Sequence, residues 1–179
     1  MLAISARSPD SDRTLGSIAT VSQTSVVGAG MPAIYEYRKV RVVLDSSVLV
    51  AASRSRRGAS FALVNSIPAP EFQICLSVGL YAEWQEVLAR PENLPPGLTS
   101  DDAMRFLQYL ASQAHLQEIH FLWRPFLPDP DDDLVLELAF AARCSHIITH
   151  NVRHFRGSEQ LGVTALSPGE FLKLIRPST

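Results

Sequence analysis

Short apolar runs rich in β-branched residues recur along this chain, and stretches with helical spacing separate them. Val40, Val42, Val43 and Leu44 form one such run, broken only by Arg41. Residues 72–76 form a second, the segment from His146 a fourth and residues 162–166 a last, while residues 117–121, apolar only at Ile119 and Phe121, are a candidate third strand. The runs are apolar at consecutive positions rather than at alternate ones. That pattern fits strands buried on both faces, which are found in parallel sheets covered by helices on each side. Strands alternating with helices therefore predict an α/β fold with a mostly parallel central sheet. In such sheets ligands bind beyond the carboxyl ends of the strands.

The intervening helices carry local signals. A short helix is expected at 48–52, capped by a serine, and another at 59–67, ended by Pro68 and Pro70. Ser77 is a candidate N-cap for a helix whose Leu80, Trp84, Val87 and Leu88 repeat at helical spacing, and Arg90-Pro91 closes it. Thr99 with Asp102 forms a capping box for a helix reaching about His115. Ser167-Pro168-Gly169-Glu170 is a second box, with proline at the first helical position, and it opens the closing helix at 171–175.

The 179 residues suffice for one domain with a sizeable core. Residues 1–38 read as a disordered leader, because the Ser-, Thr-, Ala- and Gly-rich part has no apolar period with which to offset its ordering entropy. Met31 stands where patterned sequence begins and is a candidate for the natural start. The folded domain is expected over 39–176. A net charge of −2 supplies no long-range field to draw in nucleic acid, so any such contact must rest on a local basic patch or on metal ions. Cys75 and Cys144 have no metal-type spacing and fall in apolar runs. They read as buried small side chains in a reducing compartment, with the cytoplasm as the expected location. No stretch approaches the roughly 20 apolar residues needed to cross a membrane.

The chemistry-bearing residues fall where the strands end. Asp45 follows the first run, Ser77 the second, with Glu83 on the helix after it, and Thr149 and Asn151 follow the fourth. Asp129-Pro130-Asp131-Asp132-Asp133 opens a helix that returns to the sheet. One aspartate at a helix start is an ordinary cap, but three in a row repel one another and over-supply it. Each residue also has a plain structural explanation: Asp45 as a cap, Glu83 as a solvated helix position, Asn151 as a turn former, Thr149 as a β-branched strand residue. Together they predict carboxylates gathered at one sheet edge, which would hold their protons too tightly unless a cation neutralised them. An all-oxygen set suits Mg²⁺ or Mn²⁺. His146, His150 and His154 suggest zinc at first sight, but two of them on one strand face, about two pleats apart, sit poorly for a shared ion.

Four segments carry a resemblance to a known family. Val43-Leu44-Asp45-Ser46-Ser47-Val48-Leu49 resembles the first motif of PIN-domain nucleases. Leu76-Ser77, with Glu83-Trp84-Gln85-Glu86-Val87-Leu88 and Arg90-Pro91, looks like the second. Asp129 to Asp133 looks like the third, and Ile147-Ile148-Thr149-His150-Asn151-Val152-Arg153-His154-Phe155 like the fourth. The nearest subgroup by this resemblance is the VapC-like toxin of bacterial type II toxin–antitoxin pairs.

The resemblance implies an α/β/α sandwich and metal-dependent hydrolysis of RNA phosphodiester bonds. It implies Asp45, Glu83 and Asp133 as ligands of Mg²⁺ or Mn²⁺. Asn151 stands where many relatives carry an aspartate, so it would orient water or ligand instead of adding charge. Ser46, Ser47, Asp131 and Thr149 would support the carboxylates, and Arg54 and Arg153, with their basic neighbours, would hold RNA phosphates. A cognate antitoxin protein and a homodimer are the partners implied. The alternatives are a PIN-fold nuclease in RNA maturation or DNA cleavage, and a non-catalytic binding module.

Overall fold

A computed structural model describes residues 39–120 and 126–176. The expected leader, 1–38, lies outside the described residues, as do residues 121–125, which include the end of the strand expected at 117–121. The elements in order are β1 (Val40–Leu44), α1 (Ser46–Arg54), α2 (Ala59–Asn65), β2 (Phe72–Leu76), α3 (Val78–Ala89), α4 (Ser100–Gln113), β3 (His115–Leu116), α5 (Pro130–Ala141), β4 (His146–Ile148), β5 (Thr164–Leu166) and α6 (Pro168–Ile175). Short 3-10 turns occupy Pro91–Asn93, Val152–Phe155 and Ser158–Leu161.

The five strands among the described residues are parallel and stand in the order β3-β2-β1-β4-β5. β1 is central, with Val42 against Ile74 on one side and against His146 on the other. Its Val42, Val43 and Leu44 are wholly buried, as a consecutive apolar run requires. The chain moves outward from β1 through α1 and α2 to β2, then through α3 and α4 to β3. It returns through α5, which packs across β1, β2 and β4. Parallel crossovers are right-handed, so the outward and return paths cover opposite faces of the sheet. The result is the three-layer α/β arrangement expected from the pattern.

Local signals and the described elements agree at the starts of α3, α4 and α6. The Ser77 hydroxyl accepts from the Leu80 amide, and Leu80, Trp84 and Leu88 of α3 turn inward. Both capping boxes form, Thr99 with Asp102 and Ser167 with Glu170. The rings of Phe171 in α6 and Phe72 in β2 pack T-shaped with centroids 5.4 Å apart, a contact worth about 0.5–1.5 kcal/mol beyond area burial.

Three expectations need correction. The helix before β3 ends at Gln113, and the strand lies at His115–Leu116 rather than at 117–121, because its backbone pairs with Cys75 and Leu76. The first helix starts at Ser46 rather than at Val48, and no serine caps it. The last strand is shortened to Thr164–Leu166, since Gly162 takes a left-handed conformation (φ 75°) that ends the preceding turn.

Candidate active site

Parallel pairing brings the ends of β1 and β4 level. Leu44 registers with Ile148, and the Asp45 amide donates to the Ile148 carbonyl at 3.0 Å. Asp45 holds the N-cap position of α1, yet its carboxylate makes no capping bond. Three hydroxyls hold it instead. Ser47 donates to Oδ2 at 2.6 Å, Thr149 donates to the same oxygen, and Ser46 donates to Oδ1 at 3.3 Å. Thr149 is wholly buried, and its hydroxyl also accepts from the Asn151 amide at 2.9 Å. The Ser47 hydroxyl accepts from the His150 amide at 3.2 Å. The turn after β4 is thus tied to the Asp45 carboxylate through two hydroxyls.

A cleft of about 640 Å³ opens beside Asp45. Its acidic lining comes from Asp45, Glu83, Asp129, Asp131 and Asp132, and its other polar walls include Arg54, His150, Asn151 and His154. Glu83, half-buried on α3, is pushed above the ordinary glutamate range, first by burial. The charges of Asp45, Asp131 and Asp132 add to the shift, and the Ser46 hydroxyl partly offsets it. Asp132 is pushed up as well, again first by burial, with the charges of Asp129 and Asp45 adding and His154 opposing. The carboxylates therefore sense one another across the cleft. Among the described residues no three acidic, histidine or cysteine side chains are already drawn together as a metal cluster.

Asp133 is not part of this lining. It is 1% exposed and turns back toward the chain before α5, where its Oδ1 accepts from the Leu127 amide at 2.8 Å and its Oδ2 from the Phe126 amide at 3.1 Å. Pro125, Pro128 and Pro130 have no amide hydrogen, and the amides between them need an acceptor once Leu127 is buried. Asp133 supplies it. Asp132, one residue earlier, faces the cleft. The sequence signal for this was the buried leucine in a proline-rich loop, which recruits a nearby carboxylate.

The remaining candidates fall in different places. Ser46, Ser47, Asp131, Asn151 and Arg54 line the cleft. Arg153 sits exposed on the 3-10 turn after β4, away from that lining. The three histidines make different contacts. His146 packs against the Phe171 ring, the His150 ring bonds the buried Ser60 hydroxyl at 2.7 Å, and His154 Nδ1 lies 3.1 Å from Asp132 Oδ2. The contact between His154 and Asp132 was not anticipated, because it joins residues of two separate segments.

No helix among the described residues is long and apolar enough to cross a membrane. No curated protein matches the chain. The family model described as PIN domain matches residues 41–153, from β1 through the turn that follows β4. That span contains every acidic residue of the cleft and covers most of the chain, and on this match the chain belongs to the PIN-domain family.

Proposed function

We propose that this chain is a metal-dependent endoribonuclease and serves as the toxin of a toxin–antitoxin pair. PIN domains are in general nucleases. The observation that carries the enzymatic reading is the cleft at the carboxyl ends of β1 and β4, where Glu83 and Asp132 resist ionisation beside Asp45. A divalent cation relieves that repulsion. The donors are carboxylate oxygens, which suit Mg²⁺ or Mn²⁺. Mg²⁺ keeps several waters and uses one or two carboxylates, so a closed three-ligand cluster is not required. Asp45, Glu83 and Asp132 would hold the ion, directly or through water. When bound, such an ion lowers the pKa of a coordinated water and balances charge growing on a phosphate.

The chain's own groups do the rest. The hydroxyls of Ser46, Ser47 and Thr149 fix the rotamer of Asp45. Asp133 fixes the loop that leads into α5 and so aims Asp132. The exposed Asn151 offers an uncharged amide that can orient water or a phosphate oxygen. Attack of water on phosphorus breaks the P–O3′ bond and leaves a 5′-phosphate and a 3′-hydroxyl. Nothing in that chemistry needs the 2′-hydroxyl, so the RNA assignment rests on likeness to PIN-family toxins, as does the toxin role.

The test is cleavage of a structured and an unstructured RNA, and of a matching DNA, with and without Mn²⁺, by the parent and by Asp45→Asn. Cleavage of RNA that needs Mn²⁺ and Asp45 supports the reading. Equal activity of parent and variant sinks it. The toxin role predicts growth arrest on expression, relieved by the product of an adjacent reading frame.

A further inference from the structure

One guanidinium stands at the wall of this acidic cleft. Arg54, the last residue of α1, lines it and donates from Nη2 to Asn93 Oδ1 at 2.7 Å. Asn93 is 6% exposed and secured on every side. Its Nδ2 donates to the Val87 carbonyl at 2.8 Å, its backbone amide to the Arg90 carbonyl at 2.9 Å, and its own carbonyl accepts from the Ser53 hydroxyl at 3.1 Å. The side-chain amide cannot flip, because its NH₂ group would then face the guanidinium and its oxygen the Val87 carbonyl.

The acceptor that holds Arg54 is neutral. Several carboxylates share the cleft, yet among the described residues none pairs with this guanidinium. An Arg tied to a carboxylate is electrically spent. An Arg tied to an amide keeps its full charge and most of its donors, which match the paired oxygens of a phosphate. We propose that Arg54 binds a backbone phosphate of the nucleic acid lying in the cleft. Asn93 is its positioning residue, orienting the guanidinium without neutralising it. The ligand class is a phosphodiester, and the proposal rests on the nuclease reading only for the polymer's placement at that site.

The test is binding, measured apart from cleavage. Fluorescence anisotropy follows an unstructured RNA and the same-sequence DNA on the intact chain in Ca²⁺, over a salt series, with gel analysis to confirm that the oligonucleotides stay whole. Arg54→Gln is expected to weaken binding of both about tenfold at low salt. It should also flatten the slope of log affinity against log salt by about 0.7, the signature of one lost phosphate contact on a single strand. Asn93→Asp separates a positioning role from a merely structural tie. A carboxylate at 93 grips Arg54 at least as firmly, so a structural tie predicts unchanged binding, whereas the proposal predicts the loss seen in Arg54→Gln.

Parent-like affinity and slope in both variants overturn the proposal, and so does a parent that binds neither oligonucleotide. A loss confined to RNA also overturns it, since a phosphate contact is shared with DNA. A parent that cuts nothing in Mn²⁺, yet loses binding on Arg54→Gln, refutes the enzyme and leaves the phosphate contact standing.

Discussion

Asp132 and Asp133 are adjacent, chemically identical and predicted to answer the same substitution in opposite ways. The Asp133 carboxylate is 1% exposed and accepts from two backbone amides, those of Phe126 and Leu127. In Asp133→Asn one oxygen survives as an acceptor, while the new NH₂ group faces an amide hydrogen. A charged hydrogen bond is lost, worth about 1.5–3 kcal/mol, and a buried donor is left unpaired at about 1–3 kcal/mol, partly relieved by movement of the loop. The expected loss is about 2–4 kcal/mol, which lowers the Tm by about 5–15 °C in a domain of this size. Asp132→Asn removes a carboxylate whose ionised form burial and neighbouring charge already disfavour, and its remaining oxygen can still accept from the His154 ring. Its Tm should stay level or rise. Melting curves on both variants, with RNA cleavage in Mn²⁺ assayed well below either Tm, decide the matter. Asp132→Asn should be folded and inactive, Asp133→Asn destabilised and reduced in activity without being inactive. Parent-like melting of Asp133→Asn, or parent-like cleavage by Asp132→Asn, would refute the division of roles.

Thr149→Val keeps the shape but removes the hydroxyl that donates to Asp45 and accepts from the Asn151 amide. Activity is expected to fall about 10- to 100-fold with the fold retained, as measured by cleavage rates beside a melting curve. Burial pushes Glu83 above its ordinary range, so without metal the folded state gives up that proton at higher pH than the unfolded chain does. The stability this brings is present below the ordinary glutamate value and is lost as pH rises through the raised one. Melting in EDTA from acidic to neutral pH should show that decline, and Glu83→Gln should flatten it and melt higher at pH 7. Ser167→Ala removes the hydroxyl that caps α6, with an expected loss of about 1 kcal/mol in urea unfolding and no change in metal dependence.

The parts legible in the sequence are those decided within a few residues. β2 lies at Phe72–Leu76 as its apolar run indicates, and the capping boxes at Thr99 and Ser167 form because cap and partner are three residues apart. The alternation of buried strands with helices likewise sufficed for a parallel sheet, and the four motifs for the family. What local pattern could not decide is where a side chain spends its hydrogen-bonding capacity once distant segments meet. Asp45 looks like a helix cap by position. It is instead bound by Thr149, 104 residues away, because β1 and β4 pair. Arg54 meets Asn93, 39 residues on, only when α1 packs against the turn after α3. Asp132 and Asp133 are adjacent in sequence but point about 100° apart on the helix, and which of them faces the cleft was decided by two amides of the preceding loop that needed an acceptor. Sequence alone determined the layers and the sheet edge at which the acidic residues gather. The tertiary structure decided which carboxylates face the cleft, because burial leaves each polar group a single geometry in which its partners are satisfied.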